Sequence, residues 1–164
     1  MRSKVMSTVL VLAVTLSVLA LRGSAVQGQA DPRGFLRMTP EQVKWTTNPK
    51  EIGVQRAVVY GDQSKPGIYV VRIKFPPGVM SRPHSHKEDR HALVIQGTWY
   101  TGTGGEFLPD KTVGLKPGSY MLHPGGERHF DGAKDEEVIL QLIGYGPSST
   151  TYVKPEDGEF SRIK

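Results

Sequence analysis

The 164-residue sequence contains no cysteine. This absence excludes disulfide bridges, thiol nucleophiles, cysteine-linked lipid anchors and metal sites built from thiolates. All five histidines of the chain fall between His84 and His129. Because imidazole is the commonest protein ligand for divalent transition metals, this cluster indicates a metal site built from imidazoles. The alternative is that the histidines lie together by chance on a polar surface.

Residues 1–30 have the layout of a secretory signal peptide. Arg2 and Lys4 form a short basic start, residues 5–21 are almost entirely apolar, and the segment ends in small residues that offer a cleavage site. The mature chain is expected to start near Asp31 in a secreted or periplasmic protein, with no membrane contact after cleavage. An uncleaved membrane anchor is the alternative, although the apolar stretch is short for a span.

The charge of the chain gives little reason to expect a nucleic acid partner. The net charge is +5 at pH 7, but removal of residues 1–30 takes away three basic side chains and no acidic one, which leaves +2. A weakly charged domain has no electrostatic surface suited to phosphate backbones. The remaining length suits one compact domain with its own hydrophobic core.

The pattern after residue 53 predicts an all-β domain. Within the N-terminal segment 31–53, Thr39 and Pro40 predict one or two helical turns, because they supply a capping hydroxyl and a proline at the first helical position. Short β-branched runs separated by glycine and proline then predict strands at residues 54–60, 68–75, 91–95, 98–101, 120–122 and 137–143. Regularly spaced short strands without long helices favour an antiparallel sandwich or barrel. The polar segment 154–164 is expected to be a loosely held tail.

His84, His86 and His129 are the predicted metal ligands. Side chains alternate between the faces of a strand, so His84 and His86 project to the same side, about 6 to 7 Å apart along the backbone. A third ligand must come from elsewhere in the chain. His129 follows a proline-glycine turn onto another strand and is the natural candidate.

Two motifs in this region resemble those of a single-domain cupin. The first cupin motif is a glycine, five residues, H-x-H, three or four residues, a glutamate, six residues and a glycine. The second is a glycine, five residues, P-x-G, two residues and a histidine. The matching residues are Gly78, His84, His86 and Gly97 for the first motif, and Gly118, Pro124, Gly126 and His129 for the second.

The resemblance implies an antiparallel jelly-roll β-barrel over residues 54–153 and one divalent transition metal, Fe, Mn, Ni or Zn, held by the three histidines. The chain departs from the motif at the fourth ligand. Seven residues before Gly97 stands Arg90, where cupins usually place glutamate, and a guanidinium has no lone pair for a metal.

The spacing to Gly97 and the apolar pattern of the strand disagree about which side chain faces inward. The spacing places Arg90 inside, whereas the neighbouring Leu93 and Ile95 favour His91 on the buried face. A bulge that brings Glu88 or Asp89 to the metal is a third possibility. These alternatives stay open on the sequence.

An inward Arg90 predicts an anionic ligand, since three neutral imidazoles leave the charge of a divalent ion uncompensated and the guanidinium adds another positive charge. The alternative is an exposed Arg90 paired with an acidic neighbour. His123, next to Pro124, is expected to be a solvated or hydrogen-bonded bystander, and the alternative is that it lines the mouth of the pocket as a proton shuttle. Gln141, in the middle of an apolar strand, is a candidate polar group of the pocket.

The function predicted from these residues and the resemblance is an exported, metal-dependent enzyme of oxygenase, isomerase or lyase type that acts on a small anionic molecule. Three protein ligands leave coordination positions open for a substrate. The alternative is a non-catalytic cupin module that binds or senses a small ligand. Cupins often pair through strand edges, so a homodimer is the expected assembly.

Overall fold

The computed structural model describes residues 29–163. The predicted signal peptide lies outside the described residues except for its last two positions, which form a short strand. Within the described part of the chain, no helix is long and apolar enough to cross a membrane. Over residues 29–163 the fold is all-β, and the helical content of this part of the chain is limited to short 3-10 turns.

The six strands predicted from the sequence are all present, together with shorter ones. In chain order the strands are β1 Gln29–Ala30, β2 Leu36–Arg37, β3 Thr46–Thr47, β4 Gln55–Tyr60, β5 Gly67–Phe75, β6 Val79–Ser81, β7 His84–Ser85, β8 Arg90–Gln96, β9 Trp99–Thr103, β10 Val113–Leu115, β11 Tyr120–His123, β12 His129–Ala133, β13 Val138–Gly146, β14 Thr151–Tyr152 and β15 Phe160–Arg162. The 3-10 turns are Pro40–Gln42, Pro49–Glu51, Pro109–Lys111 and Pro155–Asp157.

Two antiparallel sheets form the jelly roll. One sheet has the order β11-β8-β13-β5-β4-β3. The other has the order β10-β9-β12-β6-β15, and β7 joins it by pairing with both β12 and β14. Strands that are distant in sequence therefore lie side by side, which brings the two histidine motifs to the same sheet.

Strand alternation builds the core between the sheets. Along β5, Tyr69, Val71, Ile73 and Phe75 are buried while the residues between them are more exposed. Trp99 of the opposite sheet is fully buried against the same cluster. Burying one large apolar side chain contributes roughly 1.5–3 kcal/mol, so this alternation fixes the register of the strands that carry the site.

The helical turn expected at Thr39 and Pro40 is a single 3-10 turn, Pro40–Gln42. Its start is held as the capping pattern predicts, because the Thr39 backbone N–H donates to Oε1 of Gln42 at 2.8 Å. Of the one or two helical turns expected here, this one is present.

The C-terminal segment is not the loosely held tail that its polarity suggested. β15 pairs with β6 in the register Phe160↔Ser81, and Phe160 packs into the core with 9% of its surface exposed. One aromatic side chain in a polar segment is sufficient to anchor it, because its burial outweighs the surrounding polarity.

Candidate metal centre

The structure brings His84, His86 and His129 together in the interior of the barrel. His84 in β7 and His129 in β12 are directly paired residues, and His86 follows β7. The ligating nitrogens of the three histidines all lie within 4.8 Å of one another. The side chains are 6%, 4% and 3% exposed. The cluster could therefore hold a metal ion, as the spacing of the two motifs predicted.

Backbone carbonyls fix the orientation of all three imidazole rings. Nδ1 of His84 lies 2.7 Å from the carbonyl oxygen of Arg82, Nδ1 of His86 lies 3.0 Å from that of Ser149, and Nδ1 of His129 lies 3.3 Å from that of Glu127. A carbonyl only accepts, so each Nδ1 carries the proton and donates it. Each Nε2 then carries the lone pair of its ring, which is the arrangement found around metal-ligating histidines.

The interior also keeps these imidazoles neutral. Burial lowers the pKa of His84 to about 3, that of His86 to about 2 and that of His129 to about 4. At neutral pH the three rings are uncharged, because desolvation disfavours the imidazolium form. Neutral imidazole is the form that binds a metal.

Nε2 of His129 supports the fit of a metal most directly. This atom is buried and has no hydrogen-bond partner among residues 29–163. An unsatisfied buried polar atom costs about 1–3 kcal/mol, and such an atom in a native fold calls for a ligand, a water or an ion. The donor set of neutral imidazoles suits Zn, Cu, Fe or Ni.

Arg90 points into the same cavity, as its spacing to Gly97 predicted. It is 7% exposed, and its Nη1 donates to Nε2 of His86 at 3.1 Å. Its Nη2 donates to Oγ of Ser148 at 2.5 Å and to the carbonyl oxygen of Ser149 at 3.5 Å. Burial lowers the pKa of Arg90, although an arginine stays charged at neutral pH. Within residues 29–163 no carboxylate forms an ion pair with it.

The other candidates for a fourth ligand, His91, Glu88 and Asp89, do not join the histidine cluster. His91 lies on the outer face of β8, where its Nδ1 is 2.8 Å from the Tyr120 hydroxyl. Asp89 accepts a hydrogen bond from the backbone N–H of Gly125 at 2.7 Å, and Glu88 lies 3.8 Å from Lys87. Neither carboxylate belongs to the groups of potential metal ligands formed by the histidines.

His123 lies inside the cavity and is not the solvated or hydrogen-bonded bystander expected from the sequence. It is 3% exposed, and its ring stacks on that of His129 with centroids 3.8 Å apart and planes 30° from parallel. Neither ring nitrogen has a hydrogen-bond partner in the described part of the chain. Burial lowers the pKa of His123 to about 2. Strand parity with the half-buried Met121 was the signal that pointed inward.

Asp131 is a cavity residue that the sequence analysis missed. It follows His129 by two positions on β12 and is 6% exposed. Oγ of Ser81 donates to Oδ1 of Asp131 at 3.3 Å and accepts from the Asp131 backbone N–H at 3.0 Å. Burial raises the pKa of Asp131 to about 6. The period of two along a strand was the available signal.

Gln141 does not belong to the cavity. Its Oε1 accepts a hydrogen bond from Nε of Arg72 at 3.2 Å on the outer face of the sheet. The flanking Leu140 and Leu142 take the inward positions. The prediction of Gln141 as a pocket residue was wrong because alternation places it opposite the buried leucines.

The cavity is small and mixed in character. Its free volume is about 40 Å³, which leaves room for an ion and a few water-sized groups. Its polar lining includes four histidines, Arg90 and Asp131, together with Arg56, Ser81 and Thr150. Aromatic side chains such as Trp99 and Tyr152 also line it.

Comparison with known proteins gives one matching family. A family model described as the ChrR cupin-like domain matches residues 34–149. The chain matches no curated protein at a significant level.

Solved structures share the fold. KdgF from Halomonas sp. is 24% identical, with a TM-score of 0.52, over 66% of this chain and 91% of that one. The polyketide cyclase RemF from Streptomyces resistomycificus is 17% identical, with a TM-score of 0.59, over 73% and 85%. The DMSP lyase DddQ from Ruegeria pomeroyi DSS-3 is 16% identical, with a TM-score of 0.56, over 70% and 62%.

Proposed function

The chain belongs to the cupin superfamily, in the family of the ChrR cupin-like domain, and on this premise we propose that it is a metal-dependent enzyme acting on a small anionic molecule. The observation that carries the proposal is the orientation of His84, His86 and His129. All three donate through Nδ1 to backbone carbonyls, so three buried Nε2 lone pairs lie at one place, and a metal would replace Arg90 at that of His86. When bound, a divalent metal would supply Lewis-acid or redox chemistry.

Arg90 supports an anionic substrate. Three neutral imidazoles leave the charge of a divalent ion uncompensated, and Arg90 adds a positive charge that no carboxylate of residues 29–163 pairs with. With a divalent ion bound, the net charge of these groups stays positive even when Asp131 is ionised. A guanidinium presents a planar fork of donors that matches a carboxylate or a similar anion. Arg90 would bind and orient the negative end of the substrate.

The size of the cavity supports a small substrate or a small reactive group. A free volume of about 40 Å³ admits a carboxylate with little beyond it. The buried side chains of Trp99 and Leu140 give the cavity apolar walls, and a low-dielectric surrounding strengthens the electrostatic interactions inside.

The reaction is proposed to be of oxygenase, isomerase or lyase type. A polyketide cyclase and a DMSP lyase are built on the same fold, so this barrel is compatible with enzymatic chemistry at its centre. We also propose export of the chain, which rests on the basic and apolar composition of residues 1–30.

Metal analysis of the purified protein beside matched variants tests the proposal. The wild type is expected to contain close to one transition-metal ion per chain, and His84→Ala and His86→Ala to lose it. His91→Ala, which changes an outer histidine, serves as the control and is expected to keep the metal. The proposal would be overturned if the wild type contained no metal, or if both His84→Ala and His86→Ala kept it. Turnover of small carboxylates by the loaded protein then separates an enzyme from a module that only binds.

A further inference from the structure

His123 and Arg90 are directly paired residues on adjacent strands. β11 pairs with β8 in the register His123↔Arg90, and both side chains are buried on the inner face of the sheet. Side chains at directly paired positions stand about 4.5–5.5 Å apart at Cβ. A group on His123 therefore reaches the same part of the cavity as the residue at position 90, where cupins usually place an acidic ligand.

His123 is equipped for ligation and has no other partner. Both of its ring nitrogens are buried without a hydrogen bond among the described residues, whereas every other cavity histidine donates through Nδ1 to a carbonyl. Two buried nitrogens without hydrogen bonds destabilise the fold. The Trp99 ring packs against His123 but supplies no polar contact to either nitrogen. A ligand that accepts or shares a lone pair removes part of that cost.

His123 also lies next to His129, one of the three proposed ligands. Its ligand atom, together with those of His129 and Asp131, forms a second group within 4.8 Å, and its ring centroid is 6.4 Å from that of His86. His129 belongs to both groups. Because Nδ1 of His129 is committed to the Glu127 carbonyl, His129 has a single free lone pair and can serve one ion. The two groups therefore cannot each bind an ion through His129, and an ion held by this residue lies beside His123 as well.

We propose that His123 is the fourth protein ligand of the metal held by His84, His86 and His129. This inference rests on the proposed function, since it requires that the three histidines bind a metal. Cupins usually have an acidic ligand at the position of Arg90. His123, on the neighbouring strand, would take the place of that ligand. The ligand set then consists of neutral imidazoles only, and the bound ion keeps its full positive charge for an anionic partner.

His123→Phe is the decisive variant because phenylalanine keeps an aromatic ring beside His129 and Trp99 but has no nitrogen. His91→Phe is the matched control on the outer face. The measurements are the affinity for Zn²⁺ in competition with a chromophoric chelator and the visible absorption spectrum after loading with Co²⁺. We expect His123→Phe to bind one ion at least about tenfold more weakly than the wild type and to shift the Co²⁺ bands. His91→Phe is expected to match the wild type in both.

Each other outcome is equally informative. Unchanged affinity and an unchanged Co²⁺ spectrum in His123→Phe would overturn this inference and leave the three-histidine site intact. Two ions per wild-type chain, with one lost in both His123→Phe and Asp131→Asn, would contradict a single shared site. A wild type that binds no ion would overturn the proposed function and this inference together.

His123→Ala provides a second route if His123→Phe fails to fold. Free imidazole added to Co²⁺-loaded His123→Ala is expected to restore the wild-type bands, because it supplies the missing nitrogen. Bands that are insensitive to imidazole, in a folded variant with wild-type affinity, would overturn the ligand role.

Discussion

Nη1 of Arg90 donates a hydrogen bond to Nε2 of His86 over 3.1 Å. Nδ1 of His86 is already committed to the Ser149 carbonyl, so Nε2 holds the only lone pair of that ring. A metal ion needs the same lone pair. The contact between Arg90 and His86 and the binding of a metal by His86 therefore exclude each other, and a bound metal frees Nη1 for an anion.

The first prediction concerns Arg90→Leu. We expect this variant to bind Zn²⁺ more tightly than the wild type, because it removes both the competing donor and a like charge beside the ion. One hydrogen bond to a charged donor contributes about 1.5–3 kcal/mol, which corresponds to roughly a tenfold gain or more in affinity. Binding of small carboxylates to the metal-loaded variant is expected to weaken. Isothermal titration calorimetry measures both.

The control for this prediction is Arg72→Leu. Arg72 lies on the outer face of the barrel and donates to Gln141, so its loss leaves the cavity unchanged. Equal Zn²⁺ and carboxylate affinities in wild type and Arg90→Leu would show that Arg90 neither competes with the metal nor binds the anion.

The second prediction concerns the pH dependence of metal-free protein. Burial holds the pKa of His84, His86, His123 and His129 at about 3, 2, 2 and 4, below the usual value near 6.5. Below pH 6.5 the unfolded chain binds more protons than the folded one, so stability falls on acidification. The raised pKa of Asp131, about 6, offsets only one of these four protons. The Tm of metal-free protein is expected to drop steeply between pH 7 and pH 5.

The free energy of unfolding is expected to fall by several kcal/mol per pH unit in this range. Each excess proton bound by the unfolded chain contributes about 1.4 kcal/mol per pH unit. His123→Phe is expected to reduce this slope by the contribution of one proton. His91→Ala, at an exposed position, is expected to leave the slope unchanged. A Tm that is constant from pH 7 to pH 5 in the absence of metal would contradict the burial of neutral imidazoles.

The sequence predicted the position of Arg90 through motif spacing, and the hydrophobic pattern of β8 pointed the wrong way. Leu93 and Ile95 are 41% and 38% exposed, whereas the small residues Ala92 and Val94 face the interior. The inner face of β8 carries Ala92 and Val94 in the apolar core and Arg90 in the polar cavity. The apolar pattern misleads because the larger apolar residues, Leu93 and Ile95, occupy the outer face of this strand.

Other parts of the site had weaker sequence signals. His84, His86 and His129 could be predicted because their spacing on two strands is regular. The carbonyl of Ser149 that orients His86 could not, because the conformation of the loop after β13 depends on tertiary contacts. His123 had the correct strand parity, but the following proline suggested a strand end at the surface.

The third prediction concerns Gly144, which is paired with Arg90 across β13 and β8. A Cβ at position 144 would lie 2.6 Å from Cζ of Tyr69, and the Tyr69 hydroxyl donates to Oγ of Ser148, the acceptor of Arg90. We expect Gly144→Ala to lower the free energy of unfolding by about 1–3 kcal/mol, because overpacking displaces the Tyr69 ring. Chemical denaturation measures the change.

Gly105→Ala is the matched control for Gly144→Ala. The nearest atom to a Cβ at position 105 is Nη1 of Arg128 at 3.3 Å, the end of a flexible side chain that can move away. A similar loss in both variants would point to a general cost of adding a methyl group. It would contradict the specific role of Gly144 in making room for Tyr69.

The fourth prediction concerns Phe160, the buried residue of the C-terminal strand. Phe160→Ala is expected to cost about 3–5 kcal/mol, because it removes an aromatic ring packed against Phe75 with centroids 6.2 Å apart. β15 pairs through Phe160 with Ser81, which holds Asp131, so the loss is also expected to loosen that side of the cavity. Phe35→Ala is the control, since Phe35 is 57% exposed and its loss should cost within about 0.5 kcal/mol. Urea denaturation of the three proteins separates the cases: equal stability of Phe160→Ala and Phe35→Ala would mean that the last strand does not belong to the cooperative core.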